Sequence, residues 1–157
     1  MAMIAAVYAV LTIFIAPLSY GVIQFRLSEV LKVLVLYNPI VALGIGIGTF
    51  FANLASPFVG PWELIWMPVT DILGGFMAWF VYDRLFRRRY PAFAMALYAL
   101  TTGFAVALML SILGIDLFNF ALLAVGFSEA VILIGGIVLI EAIVDILRKR
   151  DIHLEEW

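Results

Sequence analysis

The sequence predicts an all-α integral membrane protein: one bundle of six transmembrane helices, with a short second helix. Three observations predict it. The chain is 66% hydrophobic and only 13% charged, with a mean hydropathy of +1.18, whereas a soluble domain carries roughly 25% charged residues. Stretches 1–25, 33–62 and 90–115 contain no charged side chain, and about 20 apolar residues suffice to cross a bilayer. Basic residues gather in two places, Arg84, Arg87, Arg88 and Arg89, then Arg148, Lys149 and Arg150. Positive charge in short loops stays on the cytoplasmic side. A length of 157 residues suits one domain, here 1–150 with a hydrophilic tail over 151–157. No basic segment precedes the first apolar run, so no secretory signal is expected, and the chain is expected to begin inside its first membrane helix.

Each element can be justified in order. Helix α1 is expected over about 2–18, ended by Ala16-Pro17 and Tyr20-Gly21. Helix α2 is expected over about 28–37, with Ser28 as N-cap before Glu29 and Asn38-Pro39 as its stop. Helix α3 follows over about 39–55 and carries Gly44, Gly46 and Gly48, before a loop marked by Ser56-Pro57 and Gly60-Pro61. Helices α4, α5 and α6 are expected over about 62–85, 92–112 and 118–148. Because α5 and α6 form a pair between the two basic clusters, both clusters can lie in the cytoplasm together. If α2 crosses, the N-terminus is cytoplasmic too and loops 19–27, 56–61 and 113–118 face outside. An α-helix of that length reaches only roughly 15 Å, so the crossing of α2 stays open.

The polar inventory is concentrated. The stretch QFRLSEVLK, Gln24 to Lys32, places Gln24, Arg26, Ser28, Glu29 and Lys32 between two uncharged runs. Arg26, Glu29 and Lys32 are spaced i, i+3, i+6 and share a helix face. They suit an interfacial ladder with snorkelling cations or one wall of an outward-facing pocket. Asp71 and Glu129 fall near the middle of α4 and α6, where an acid is costly and marks a partner, cavity or path. They suit either pairing with Lys32 or a neighbouring amide, or a site role, the latter more for Glu129. Trp62 and Trp66, with Glu63 between them, are either membrane anchors or a stacking platform. Asn53, Asp116 and Asn119 either line a mouth or cap loops, while Trp79, Tyr82 and Tyr90 form an inner aromatic belt. Ala2/Ala6 and Ala5/Ala9 on α1, and Gly44/Gly48 on α3, have the spacing of close helix contacts. The α1 pairs could dock another protein. Glu141, Asp145 and Arg148 are expected to form a charge ladder with Arg84 or Arg87.

Absences narrow the function further. Cysteine is missing and the one histidine, His153, lies in the tail, which leaves no disulfide, thiolate nucleophile or histidine metal cluster. No G-x-x-x-x-G-K-[ST], H-E-x-x-H or G-x-S-x-G motif occurs. An enzyme, a bound cofactor and a nucleic-acid partner are not expected, and the halves do not read as inverted repeats.

The run APLSYGVIQFRLSEVL, Ala16 to Leu31, resembles the signature of the QueT family of queuosine-precursor transporters. The Asn53-Leu54 turn and SEAVILIGGIVL on α6 extend the similarity over most of the chain. Members look like substrate-binding (S) components of energy-coupling-factor (ECF) importers. The resemblance implies a six-helix bundle of the ECF S-component type with an outward-facing pocket. It also implies that Ala2, Ala5, Ala6 and Ala9 dock a transmembrane coupling subunit driven by two cytosolic ATPases. The implied ligands are 7-deazaguanines: preQ0, preQ1 or queuine. A carboxylate can accept their N1–H and 2-amino donors together, and the O6 carbonyl needs a donor such as Gln24, Asn53 or Arg26. Glu129 is the first candidate for that edge and Glu29 the second. Trp62, Trp66, Phe25 or Tyr20 would flank the ring, and Asp71 or Glu63 would balance the ammonium of preQ1. Lys32 and Asp71 are where the chain departs from this pattern. The same bundle could carry another vitamin or nucleobase, or serve as a membrane scaffold without a ligand.

Overall fold

The computed structural model describes residues 1–20 and 26–149. Six helices span them in the expected order, and no strand occurs among the described residues. They are α1 (Ala2–Phe14), α2 (Leu27–Leu36), α3 (Val41–Asn53), α4 (Trp62–Leu85), α5 (Pro91–Ile112) and α6 (Phe118–Arg148). Helices α4, α5 and α6 are long and apolar enough to cross a membrane, while α1 and α3 are shorter apolar helices. Large apolar side chains such as Leu73, Phe80, Leu100, Leu123, Phe127 and Val138 point outward from the three long helices. Such a surface suits lipid rather than water. The chain is a membrane protein.

Two elements differ from expectation. Helix α1 ends at Phe14 rather than near residue 18, because Pro17 has no N–H to offer the Ile13 carbonyl. The chain bends at Ile15 (φ −111°, ψ 35°) and resumes as one turn, Ala16–Ser19, with the proline in its first turn. Helix α2 is a 3-10 helix of 10 residues. At about 2.0 Å per residue it extends roughly 20 Å, a third further than an α-helix of equal length. The length objection to its crossing therefore weakens. Its N-cap residue is Arg26, with no side-chain cap. Ser28 instead shares a hydrogen bond of 2.6 Å with Thr12 of α1.

One end of the bundle gathers the start of α1 and the last turns of α6. Met1, Ile4, Leu34, Tyr37 and Val41 line one groove, and Leu36, Tyr82, Arg88, Glu141 and Asp145 another. The start of α1, the end of α2, the end of α4 and the last turns of α6 therefore lie together. At that end Arg84 and Arg88 contact Asp83 of their own helix region, at 3.6 and 2.7 Å. Arg84 thus pairs with Asp83 rather than with Glu141 or Asp145 of the expected ladder, whose Arg148 side chain lies outside the described residues.

Tyr8, Val33, Ile45, Met95, Tyr98 and Leu133 belong to one buried core drawn from α1, α2, α3, α5 and α6. A second core, including Met67, Val106, Met109 and Val125, fills the opposite end between α4, α5 and α6. Close approach of α1 and α3 depends on Gly48, where a Cβ would sit 2.8 Å from Tyr8 Cβ and 2.9 Å from the Ala5 carbonyl oxygen. That contact brings the Tyr8 hydroxyl into the middle of the bundle.

Candidate functional site

The 3-10 geometry of α2 answers why its polar residues are spaced by three. With 3.0 residues per turn, side chains at i and i+3 eclipse, so Arg26, Glu29, Lys32 and Val35 stack in one row. All four are buried. The row carries charge from the end of α2 nearest the α3–α4 loop down to the bundle centre.

Lys32 is the hub. Its ammonium contacts Glu29, lies 2.7 Å from Asp71 Oδ1 and 3.9 Å from Glu129 Oε1, and sits 4.9 Å from the centre of the Tyr98 ring. Each carboxylate has a second anchor. The Tyr8 hydroxyl donates to Glu29 Oε1 at 2.6 Å, Thr49 donates to Asp71 Oδ2 at 2.5 Å, and Thr102 donates to Glu129. The Tyr98 hydroxyl donates to the Asp71 carbonyl at 2.6 Å. All six helices thus contribute to one network. The oxygens Glu29 Oε2 and Asp71 Oδ1 have no hydrogen-bond partner beyond the ammonium. A buried ion pair offsets its desolvation only when such anchors complete it. Here one ammonium stands among three carboxylates.

A second polar group lies at the Arg26 end. Arg26 Nε donates to the Ser19 carbonyl at 3.1 Å, and the guanidinium lies 5.5 Å from the Tyr20 ring centre. The Tyr20 hydroxyl donates to the Ala52 carbonyl at 2.5 Å, and Asn53 Nδ2 donates to the Glu63 carbonyl at 2.8 Å. These contacts draw the turn after α1, the start of α2, the end of α3 and the start of α4 into one corner. Among the described residues, three side-chain atoms there are buried without a hydrogen-bond partner: Ser19 Oγ, Asn53 Oδ1 and Glu63 Oε2. Ser19 and Asn53 are fully buried and Glu63 is 1% exposed. Arg26 and Glu63 do not close an ion pair with each other among the described residues.

The residues singled out in the sequence divide as follows. Arg26, Glu29, Asp71 and Glu129 come together with Lys32 in the column. Asn53 lies at the corner with Glu63. Gln24 and Phe25 lie outside the described residues. Trp62 and Trp66 meet edge to face, with centroids 5.9 Å apart and planes at 81°, so they leave no parallel slot between them. The α1 alanines split: Ala5 and Ala9 are buried, while Ala2 and Ala6 are exposed. Asp116 is half-buried and Asn119 exposed. The residues without a signal in the sequence are Tyr8, Thr49, Tyr98 and Thr102; the pairing of Asp71 and Glu129 with Lys32, one of the two expected readings, is present. Lys32 had a signal of its own: it stands three residues after Glu29 at the head of a long apolar run.

A family model described as QueT transporter matches residues 1–145. No curated protein and no solved structure matches the chain.

Proposed function

The chain belongs to the QueT transporter family and is a membrane transport protein, and from that premise we propose that it is the substrate-binding component of an ECF-type importer. Its substrate is a 7-deazaguanine such as preQ0, preQ1 or queuine, taken from outside the cell membrane, with both chain ends in the cytoplasm. One observation carries this reading. Arg26, Glu29, Lys32, Glu63, Asp71 and Glu129 are each no more than 6% exposed inside an otherwise apolar bundle. Charges at that depth are expensive and mark a ligand or ion path. The candidate binding residues among those described are Arg26, Asn53 and Glu63 at the corner and Glu29, Asp71 and Glu129 in the column, with Trp62 and Trp66 at the start of α4.

Energy comes from elsewhere, since the sequence has no phosphate-binding loop. Two cytosolic ATPases supply it through a transmembrane coupling subunit. The exposed face of α1, on which Ala2, Ala6, Val10 and Ile13 recur at helical spacing, suits that partner. Ala5 and Ala9 serve the inner contact with α3 instead. The test is uptake of labelled preQ0, preQ1 and queuine into cells expressing the chain with and without a coupling subunit and both ATPases. Accumulation of one ligand only with the full set supports the proposal. Equal accumulation without the ATPases contradicts the energy source, and none with any ligand contradicts the substrate class.

A further inference from the structure

We infer that the corner built from Ser19, Arg26, Asn53 and Glu63, and not the Lys32 cluster, is the subsite that reads the donor edge of the ligand. The inference rests on the transport reading above and specifies its site. In the Lys32 cluster every carboxylate is already matched: Glu29 by Tyr8 and the ammonium, Asp71 by Thr49 and the ammonium, Glu129 by Thr102. A ligand binding there must break contacts that join all six helices. The corner has the opposite character. Among the described residues Asn53 Oδ1, Glu63 Oε2 and Ser19 Oγ are buried without a hydrogen-bond partner, although Ser56 bonds the Glu63 carboxyl. A buried polar atom without a partner costs free energy in the ligand-free protein, and a ligand that supplies the missing donor recovers it.

The chemistry of these atoms defines the ligand. Two acceptors on residues joined by a hydrogen bond, one of them a carboxylate, call for N–H donors on one edge of the ligand. The Arg26 guanidinium, stacked over Tyr20 and unpaired with Glu63, offers N–H groups to a carbonyl. A flat heterocycle with an amidine-like N–H and amino edge beside a carbonyl presents that set in one plane. Arg26 and Glu63 stay within electrostatic reach of each other, so the polar edge would lie between opposite charges. The Lys32 cluster then acts as a structural pin that fixes α2, and with it Arg26, relative to α3 and α4.

The experiment compares two probes that differ at this edge, 7-deazaguanine and 7-deazahypoxanthine, which lacks the 2-amino group. Titration calorimetry on the purified full-length protein measures both, and thermal unfolding without ligand runs in parallel. In the wild type the 2-amino probe binds about 30-fold more tightly, because a site built for a donor rejects the analogue lacking it. Glu63→Gln collapses that ratio and leaves ligand-free stability equal or higher. Tyr8→Phe, in the inner network, lowers ligand-free stability and keeps the ratio. A ratio that survives Glu63→Gln but collapses in Glu129→Gln overturns the inference and moves the edge inward. A drop in ligand-free stability in Glu63→Gln overturns it too, since the carboxylate would then be structural. If the wild type binds neither probe, the deazaguanine reading fails; the donor-seeking corner stands only if Glu63→Gln and Ser19→Ala leave ligand-free stability equal or higher.

Discussion

Lys32 illustrates how much one residue decides. It is 1% exposed and is the only cation in contact with Glu29, Asp71 or Glu129 among the described residues. Removing one partner of a buried ion pair leaves uncompensated charge, at a cost of about 3–5 kcal/mol. Lys32→Met is therefore expected to lower the thermal midpoint far more than Glu29→Gln, which keeps its shape and leaves Asp71 paired; similar small shifts in both would count against the hub. The acids were legible in the sequence, because a carboxylate deep in an apolar helix stands out against its neighbours. Lys32 was harder to place. Its spacing from Glu29 is visible, but the approach of Asp71 and Glu129 depends on how α4 and α6 pack, which no local pattern states. Glu63 was the most misleading residue. Lying one residue after Pro61-Trp62, it has the local context of an interfacial side chain, yet it is buried, with Asn53 bonded to its carbonyl.

Among the elements, α2 diverges most from its sequence. Residues three apart are neighbours in an α-helix and in a 3-10 helix alike, so the Arg26, Glu29, Lys32 spacing does not choose between them. The 3-10 form aligns the row and lengthens the helix, and both effects come from packing against α1, α3, α4 and α6. The row gives a sharp expectation. Inserting one alanine between Val30 and Leu31 turns Lys32 by roughly 120° at 3.0 residues per turn, out of line with Glu29. Ligand binding and folding yield should both collapse, whereas the same insertion beside Gly114, in an exposed loop at positive φ, should be tolerated. Equal tolerance at both sites would mean that the row is incidental. The stop of α1 at Phe14 was only partly legible: Pro17 announces a break, but the full turn between the proline and its effect is easily overlooked.

At the scale of the whole molecule, α4, α5 and α6 were legible to within a residue or two, because long, mostly apolar runs bounded by basic loops and prolines leave few alternatives. The start of α1 and the last turns of α6 share one end of the bundle, and the expected six passes can be tested directly. The chain has no cysteine, so single cysteines report without interference. Gly114→Cys should react with a membrane-impermeant thiol reagent in intact cells, and Lys149→Cys only after lysis. Reaction of Lys149→Cys from outside, with Gly114→Cys silent until lysis, would reverse the orientation of α6, and reaction of both from outside would contradict its crossing. The most direct test of the central claim is equilibrium binding to the purified protein. The panel is preQ0, preQ1, queuine and guanine, with riboflavin and biotin as controls. Sub-micromolar binding of one deazaguanine, lost in Arg26→Ala and absent for the controls, is the expected result. No binding to any member, by a protein that remains folded, would contradict it.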